Sequence, residues 1–134
     1  MTVGYSDPQV EEDATEAQVT VNSVLHDLLR YEEILGAIAV SVDGHVIGPA
    51  GVEEAADFLS VLGSSLAGVA ERSTRRIGVG SELSLSITAN DGMVTVRNAG
   101  SFALTILSEQ TASSLVVAAS QTALAEIAMI LNPI

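Results

Sequence analysis

A hairpin pattern between two helical patterns constrains this chain most strongly. Residues 36–48 read Gly-Ala-Ile-Ala-Val-Ser-Val-Asp-Gly-His-Val-Ile-Gly. Asp43-Gly44 favours a two-residue type I′ turn, because both central positions of that turn need a positive φ. The sequence therefore predicts two short antiparallel strands, Ala37–Val42 and His45–Gly48, with Pro49-Ala-Gly51 ending the second one.

Apolar residues at helical spacing flank the hairpin on both sides and recur at the end of the chain. We predict helices over Gln18–Tyr31, Val52–Thr74 and about Ser113–Leu131. The second helix shows one wide apolar stripe, which comprises Ala55, Phe58, Leu59, Leu62, Leu66 and Val69. The face predicted to be buried on the last helix comprises Val116, Ala119, Ala123, Ile127 and Ile130.

Three further strands are predicted between the second and third helices. In the first of them Leu83, Leu85, Ile87 and Ala89 alternate with Ser84, Ser86 and Thr88, which predicts one buried and one polar face. Short turns at 90–92 and 99–100 imply an antiparallel meander. The predicted order is αββαβββα, an α/β protein of the α+β type with a five-stranded antiparallel sheet and helices on both faces.

Composition narrows the classes of partner. The 134-residue chain has a net charge of −12, no Lys and five Arg, so it lacks the clustered basic surface that nucleic acid or an anionic membrane needs. Cysteine is absent, which excludes disulfides and thiolate metal sites. We expect residues 1–17 to be an acidic disordered tail, either a solvated leader or a regulatory segment, and residues 18–134 to form one domain.

One segment has the length of a membrane span. Thr111–Leu131 carries a single charge, Glu126, but it has several Ser and Thr residues and no basic flank. A buried amphipathic helix is therefore favoured over membrane insertion. The N-terminus lacks the pattern of a signal peptide, so we predict a cytoplasmic protein.

Catalytic motifs are missing from the sequence. The two histidines, His26 and His45, have no metal-ligand spacing, and no serine stands in a Gly-x-Ser-x-Gly elbow. Gly78-x-Gly80 follows a helix rather than a strand, so a helix C-terminal cap is favoured over a phosphate cradle. We predict no enzyme activity, no catalytic or metal-binding residues and no cofactor.

A stripe of small residues marks the second helix: Ala56, Gly63, Ala67 and Ala70. Glycine inside a helix costs about 1 kcal/mol relative to alanine, so Gly63 indicates a close approach of another backbone. Two interpretations remain open, packing on the domain's own sheet or packing on a helix of a second subunit. Arg72, Arg75 and Arg76 suit the dipole at the end of this helix, and a catalytic arginine role is the alternative.

Together these motifs resemble the Roadblock/LC7 domain family, and within it the stand-alone bacterial members of the MglB type. The features that carry the resemblance are Leu25-x-x-Leu28-Leu29, the hairpin at 36–47, the Ala-rich and Gly-rich second helix, the meander from Leu83 to Val96 and the Ala-rich last helix. The resemblance spans about residues 18–132. It implies that the first and last helices lie on one face of the sheet and the second helix on the other.

The resemblance further implies a homodimer that binds a small Ras-like GTPase as a regulator or adaptor. Its second helices would pair and its sheets would join at the edge of the third strand. The residues expected at the dimer interface are Ala56, Gly63, Ala67, Ala70, Leu83, Leu85 and Ile87, and those expected to contact a partner are Asp57, Ser60, Ser64 and Arg72. A scaffold subunit without effect on GTP hydrolysis and a small-molecule sensor are the alternatives.

Overall fold

A computed structural model describes residues 20–41, 46–80, 83–98 and 102–131. Helix α1 includes residues 20–28. The remaining elements are β1 (Ile34–Ser41), β2 (Val46–Ala50), a 3-10 turn (Glu53–Ala55), α2 (Ala56–Arg76), β3 (Leu83–Ala89), β4 (Gly92–Asn98), β5 (Phe102–Ser108) and α3 (Ser113–Leu131). The predicted acidic tail and the Asp43-Gly44 turn lie outside the described residues.

The five strands form one antiparallel sheet in the order β2-β1-β5-β4-β3. The predicted αββαβββα order and the five-stranded sheet are thereby confirmed. Strand β5 occupies the centre, and both of its faces are covered, because Leu104 and Ile106 on one side and Thr105 on the other are fully buried. The sheet edges are β2 and β3.

Each face of the sheet packs against its own helices. Helices α1 and α3 cover one face, where Leu25, Val116 and Ile127 pack with Leu104 and Ile106 in the larger core. Helix α2 covers the opposite face through two smaller clusters, in which Leu59 packs near Ile38 and Ala67 packs near Val96. The expected distribution of the helices over the two faces is thus confirmed.

The hairpin β1–β2 is longer than predicted and its ladder is irregular. Strand β1 begins at Ile34, and β2 continues through Pro49 to Ala50, so the prediction that Pro49 ends the strand is wrong. Proline is tolerated there because β2 is an edge strand. Val40 pairs with Val46, whereas an uninterrupted ladder from a two-residue turn would pair it with Ile47. A register shift between Ala37 and Ala39 corrects this offset.

Gly36 lies within β1 rather than before it, opposite Leu107 of β5. A Cβ atom at this position would overlap the side chain of Val52 and lie 3.0 Å from the carbonyl oxygen of Ala50. The glycine therefore permits the segment after β2 to cross close over β1. From the sequence, Gly36 is predicted to lie in the break between the first helix and the first strand, because glycine commonly ends helices.

Helix α3 is the one helix among the described residues that is long and apolar enough to cross a membrane. Its bounds are those predicted, and Val116, Ala119, Ala123 and Ile127 are buried against the rest of the domain. That buried face is typical of a core helix in a globular domain. Met129 and Val117 point outward and are exposed.

Candidate interaction surface

Helix α2 carries a second apolar face that points away from the sheet. Phe58 is 81% exposed, Val61 65% and Val69 56%, and Leu62 is also exposed. These four residues follow a spacing of three, one and seven, which places them along one side of a helix. We call Phe58, Val61, Leu62 and Val69 the outer stripe of α2. The single apolar stripe predicted for α2 is thus divided in the structure, because Leu59 is buried while Phe58, Leu62 and Val69 are exposed.

The apolar side of β3 lies open on the same face of the sheet as α2. Leu85 and Ile87 stand opposite Val96 and Val94, which pack towards α2. Ile87 is nevertheless 43% exposed, and Leu85 is half-buried. The predicted burial of this side of β3 is incomplete within one chain, because β3 is the last strand of the sheet.

Two of the four small residues of α2, Gly63 and Ala67, face the sheet. A Cβ atom on Gly63 would overlap the hydroxyl oxygen of Thr105 on β5. Ala67 is buried beside Val96 and Ala103. Of the two interpretations of this stripe, the structure therefore supports packing on the domain's own sheet for Gly63 and Ala67. Within one chain, the side of α2 at Gly63 and Ala67 is thus covered by Thr105 and Val96.

The other predicted interface and partner residues lie along α2 and at the start of β3. Ala56 is the first residue of α2, and Ala70, further along the helix, is half-buried. On β3, Leu83 pairs with Asn98 of β4. Asp57 and Arg72 are exposed near opposite ends of α2. The Ser64 hydroxyl donates to the carbonyl oxygen of Ser60 at 2.8 Å within the helix, while Ser60 itself is half-buried. Asp57, Ser60 and Ser64 follow one side of α2 at spacings of three and four, whereas Arg72 lies about two turns beyond Ser64.

Charge is separated along α2. Glu53, Glu54 and Asp57 lie at its start, and Arg72, Arg75 and Arg76 lie at its end. Arg72 and Arg76 follow Val69 at spacings of three and seven, so they extend the outer stripe beyond its apolar part. Arg75 instead approaches Glu71 at 3.7 Å, one turn earlier on the helix.

The predicted C-terminal cap of α2 is present. Gly78 and Gly80 have positive φ angles, and the N–H groups of Ile77, Gly78 and Val79 donate to the carbonyl oxygens of Ser73, Arg75 and Thr74. The carbonyl groups of the last turn thus accept hydrogen bonds from backbone N–H groups that follow them in the chain. The arginine side chains at this end are not needed for capping.

Catalytic and metal-binding geometry is not seen in the described parts of the chain. Within residues 20–41, 46–80, 83–98 and 102–131, no three His, Cys, Asp or Glu side chains are grouped as metal ligands require. Of the two histidines, His26 is exposed on α1, and His45 falls outside the described residues. The most distinctive surface of the described chain is therefore the apolar one formed by α2 and β3.

Sequence reasoning missed the outer stripe because it assigned all large apolar residues of α2 to one face. The signal was available in their angular spread. Successive residues of a helix are 100° apart around its axis, so Phe58 and Leu59 begin two different stripes. The stripe from Phe58 continues through Leu62 and Val69, and the stripe from Leu59 continues through Gly63 and Ala67. A helix whose apolar arc is this wide needs contacts on two sides.

Comparison with solved structures finds the same fold in bacterial proteins. MglB of Myxococcus xanthus superposes with a TM-score of 0.76 and 16% identity over 97% of this chain and 94% of that chain. The gliding protein MglB of Thermus thermophilus gives 0.71 and 20% over 85% and 90%. A Roadblock/LC7 domain of Streptomyces avermitilis gives 0.64 and 22% over 81% and 89%.

Comparison with curated protein sequences gives no significant match. The sequence profile of the Roadblock/LC7 domain, in contrast, matches residues 20–108, from α1 to the end of β5. This range covers most of the chain and includes both elements of the candidate surface, α2 and β3. The chain therefore belongs to the Roadblock/LC7 domain family.

Proposed function

We propose that this protein is a homodimeric, non-enzymatic regulator or adaptor that binds a small Ras-like GTPase. The observation that supports the dimer best is the exposure of apolar side chains on both α2 and β3, namely the outer stripe and Ile87. Large apolar side chains grouped on one face of a soluble domain are typical of protein interfaces. The proposed GTPase partner rests on family membership, since Roadblock/LC7 proteins bind GTPases of this class.

A second copy of the chain fits this surface. Strand β3 is an edge strand without charged residues, so little opposes the addition of another β3 strand to its free edge. The exposed sides of Ile87 and of the outer stripe lie on the same face of the sheet. One two-fold axis can therefore pair β3 with β3 and α2 with α2, as an isologous dimer requires.

The charges of α2 favour an antiparallel pair of these helices. The acidic residues at the start of one helix would then lie near the arginines at the end of the other. A two-fold axis near Ser65 would place Val61 opposite Val69 and Glu54 opposite Arg76 of the second copy. A parallel pair would bring like charges together, which is unfavourable.

The acidic end of the sheet suits a basic partner. Glu33 and Glu109 are adjacent, since the N–H of Glu109 donates to the carbonyl oxygen of Glu33 at 2.8 Å. Asp91 lies in the β3–β4 turn at the same end, because Met93 pairs with Ser108. Complementary charge accelerates the encounter of two proteins and selects among partners.

The decisive experiment measures GTP hydrolysis by a Ras-like GTPase of the same genome, with and without this protein, and measures their binding. A regulator changes the hydrolysis rate on binding. Binding with an unchanged rate would favour the alternative of a scaffold subunit in a signalling or polarity complex. Absence of binding to every such GTPase would contradict the proposed partner class and leave the dimer to be judged separately.

A sensor function has one observation in its favour. A groove of about 350 Å³ lies between α1 and α3, lined by Leu28, Tyr31, Ala119 and Glu126 among others. That volume falls within the range of small-ligand sites, but such sites are mostly apolar and enclosed. The exposed ion pair between Arg30 and Asp27 flanks the groove, at 3.3 Å. We therefore favour the GTPase regulator.

A further inference from the structure

The five strands described contain one charged side chain, Arg97 of β4. Its neighbours Val94 and Val96 pack towards α2. Because side chains alternate along a strand, Arg97 points to the opposite face, where α3 lies. The guanidinium is therefore on the side of the sheet away from the proposed dimer surface.

Arg97 makes few contacts for a half-buried cation. Its Nη1 donates to Oγ of Ser120 at 3.4 Å. Its Nε is buried and has no hydrogen-bond partner in the described part of the chain, and no carboxylate of the described residues lies within 4 Å. A guanidinium offers five N–H donors, of which the described residues accept one, and no carboxylate among those residues neutralises its charge.

Ser120 fixes the position of the guanidinium. This serine of α3 is fully buried, and its hydroxyl donates to the carbonyl oxygen of Val117 at 3.1 Å. One of the two lone pairs of Oγ accepts the bond from Arg97. Ser120 is thus a positioning residue, which holds the guanidinium between β4 and α3.

Two hydroxyl residues of β3, Ser84 and Ser86, lie on the same face of the sheet as Arg97. Ser84 of the edge strand β3 lies directly opposite Arg97 in the ladder and is exposed. In the ladder, Ser86 stands opposite Thr95, with 3.1 Å between their hydroxyl oxygens. Directly opposed side chains on one face of a sheet have their Cβ atoms about 5 Å apart, so the Ser84 hydroxyl and the guanidinium can reach one common ligand.

We propose that Arg97 and Ser84, with Arg97 oriented by Ser120, form a binding site for an oxyanion of the phosphate class. Planar guanidinium groups bind phosphate oxygens through pairs of N–H donors. In a tetrahedral phosphate, two oxygens can face the guanidinium while a third, out of that plane, accepts from the serine hydroxyl. Both oxygens of a carboxylate instead lie in the plane of the guanidinium when they bind it in pairs, and are less well placed for a donor outside that plane. The ligand would supply the negative charge that Arg97 lacks within the described chain.

The test is a titration of the ¹⁵N-labelled full chain, followed by NMR, with inorganic phosphate, O-phosphoserine and acetate in parallel. We expect saturable shifts of the Arg97 Nε–H signal and of the amides of Ser84 and Arg97. Acetate should bind several-fold more weakly. Binding of inorganic phosphate alone would assign the site to a free anion, and binding of O-phosphoserine as well would assign it to phosphate esters.

Matched variants separate the site from general charge effects. R97M should abolish the saturable shifts, while R30M should keep them, because Arg30 is exposed on α1 and paired with Asp27. S84A removes an exposed hydroxyl and should weaken binding by about tenfold or more, the value of one hydrogen bond to a charged group. If R97M fails to fold, the S84A variant alone tests whether the site binds phosphate.

Three results would overturn this assignment. One is a set of shifts that grows linearly with phosphate and spreads over the whole chain. Another is an unchanged titration in both R97M and S84A. The third is acetate binding as tight as phosphate binding, which would show a carboxylate site instead.

Discussion

Gly63 of α2 lies directly against Thr105 of β5, and a Cβ atom added to Gly63 would overlap the threonine hydroxyl oxygen. Thr105 is fully buried, and its Oγ1 has no hydrogen-bond partner in the described residues. The helix therefore approaches the centre of the sheet at a position where it has no side chain. This contact fixes which side of α2 faces inward and leaves the outer stripe exposed.

The close contact predicts that G63A destabilises the folded chain. The added methyl group must displace Thr105 or move the helix, and overpacking of this kind costs about 1–3 kcal/mol. The helix propensity gained, about 1 kcal/mol, offsets part of that cost. Urea denaturation at one fixed protomer concentration measures the difference.

A double-mutant cycle checks that Thr105 is responsible. T105A makes room for the new methyl group, so the G63A/T105A protein should be more stable than the two single changes predict by addition. A coupling energy of about 1 kcal/mol or more is expected for residues in direct contact. Additive changes would show that the two residues do not touch.

The unpartnered hydroxyl of Thr105 predicts an unusual response to T105V. Replacing a buried, unpaired hydroxyl by a methyl group of similar shape should raise the free energy of unfolding, by about 1 kcal/mol. Thr95 provides the matched control, because it is equally buried but lies 3.1 Å from the Ser86 hydroxyl. T95V should lower stability. Thermal unfolding of T105V and T95V measures both changes in stability. If the two variants lost equal stability, the Thr105 hydroxyl would have a hydrogen-bond partner.

The charged ends of α2 predict a compensating pair of substitutions. R76E should weaken the dimer, because it places a carboxylate near Glu54 of the second copy in the antiparallel arrangement. E54R in the same chain should restore part of the loss. Exposed ion pairs contribute about 1 kcal/mol or less, so the expected change in dimer affinity is within about tenfold, and it should shrink at high salt.

Sedimentation equilibrium of R76E, E54R and the double variant measures these affinities. A parallel arrangement would give a different ranking. Glu54 and Arg76 would then each face their own equivalents, and E54R would not repair R76E.

The fold could be predicted from the sequence because its signals are local and regular. Strand β3 and helix α3 have the predicted bounds, since each has clean periodicity and clear turn residues on either side. The errors at Gly36 and Pro49 have one cause. Both residues normally mark breaks, but here tertiary contacts override that tendency: Gly36 lets Val52 pack on β1, and Pro49 lies on an edge strand.

The interaction surface was harder to predict than the fold. Ile87 and Phe58 are large apolar residues of the kind that usually fills a core. Only the strand order and the placement of α2 show that their side chains are exposed to solvent in one chain. Arg97 illustrates the same limit. Its sequence neighbours predict an ordinary strand, whereas its contact with Ser120 depends on α3, more than twenty residues further along the chain.

The outer stripe of α2 is the central element of the proposed dimer, and F58E tests it without touching the sheet. A carboxylate at this exposed position cannot be buried in an apolar interface without a large free-energy cost. M129E is the matched control, because Met129 is 75% exposed on α3 and lies outside the proposed surface. Circular dichroism should show that both variants keep the fold.

The most direct measurement is the mass of the full chain in solution by sedimentation equilibrium. We predict that the wild-type protein and M129E have twice the protomer mass of 13.8 kDa, while F58E has the protomer mass. A wild-type protein that remains a monomer at micromolar concentration, or an F58E variant that dimerises as tightly as wild type, would contradict the account.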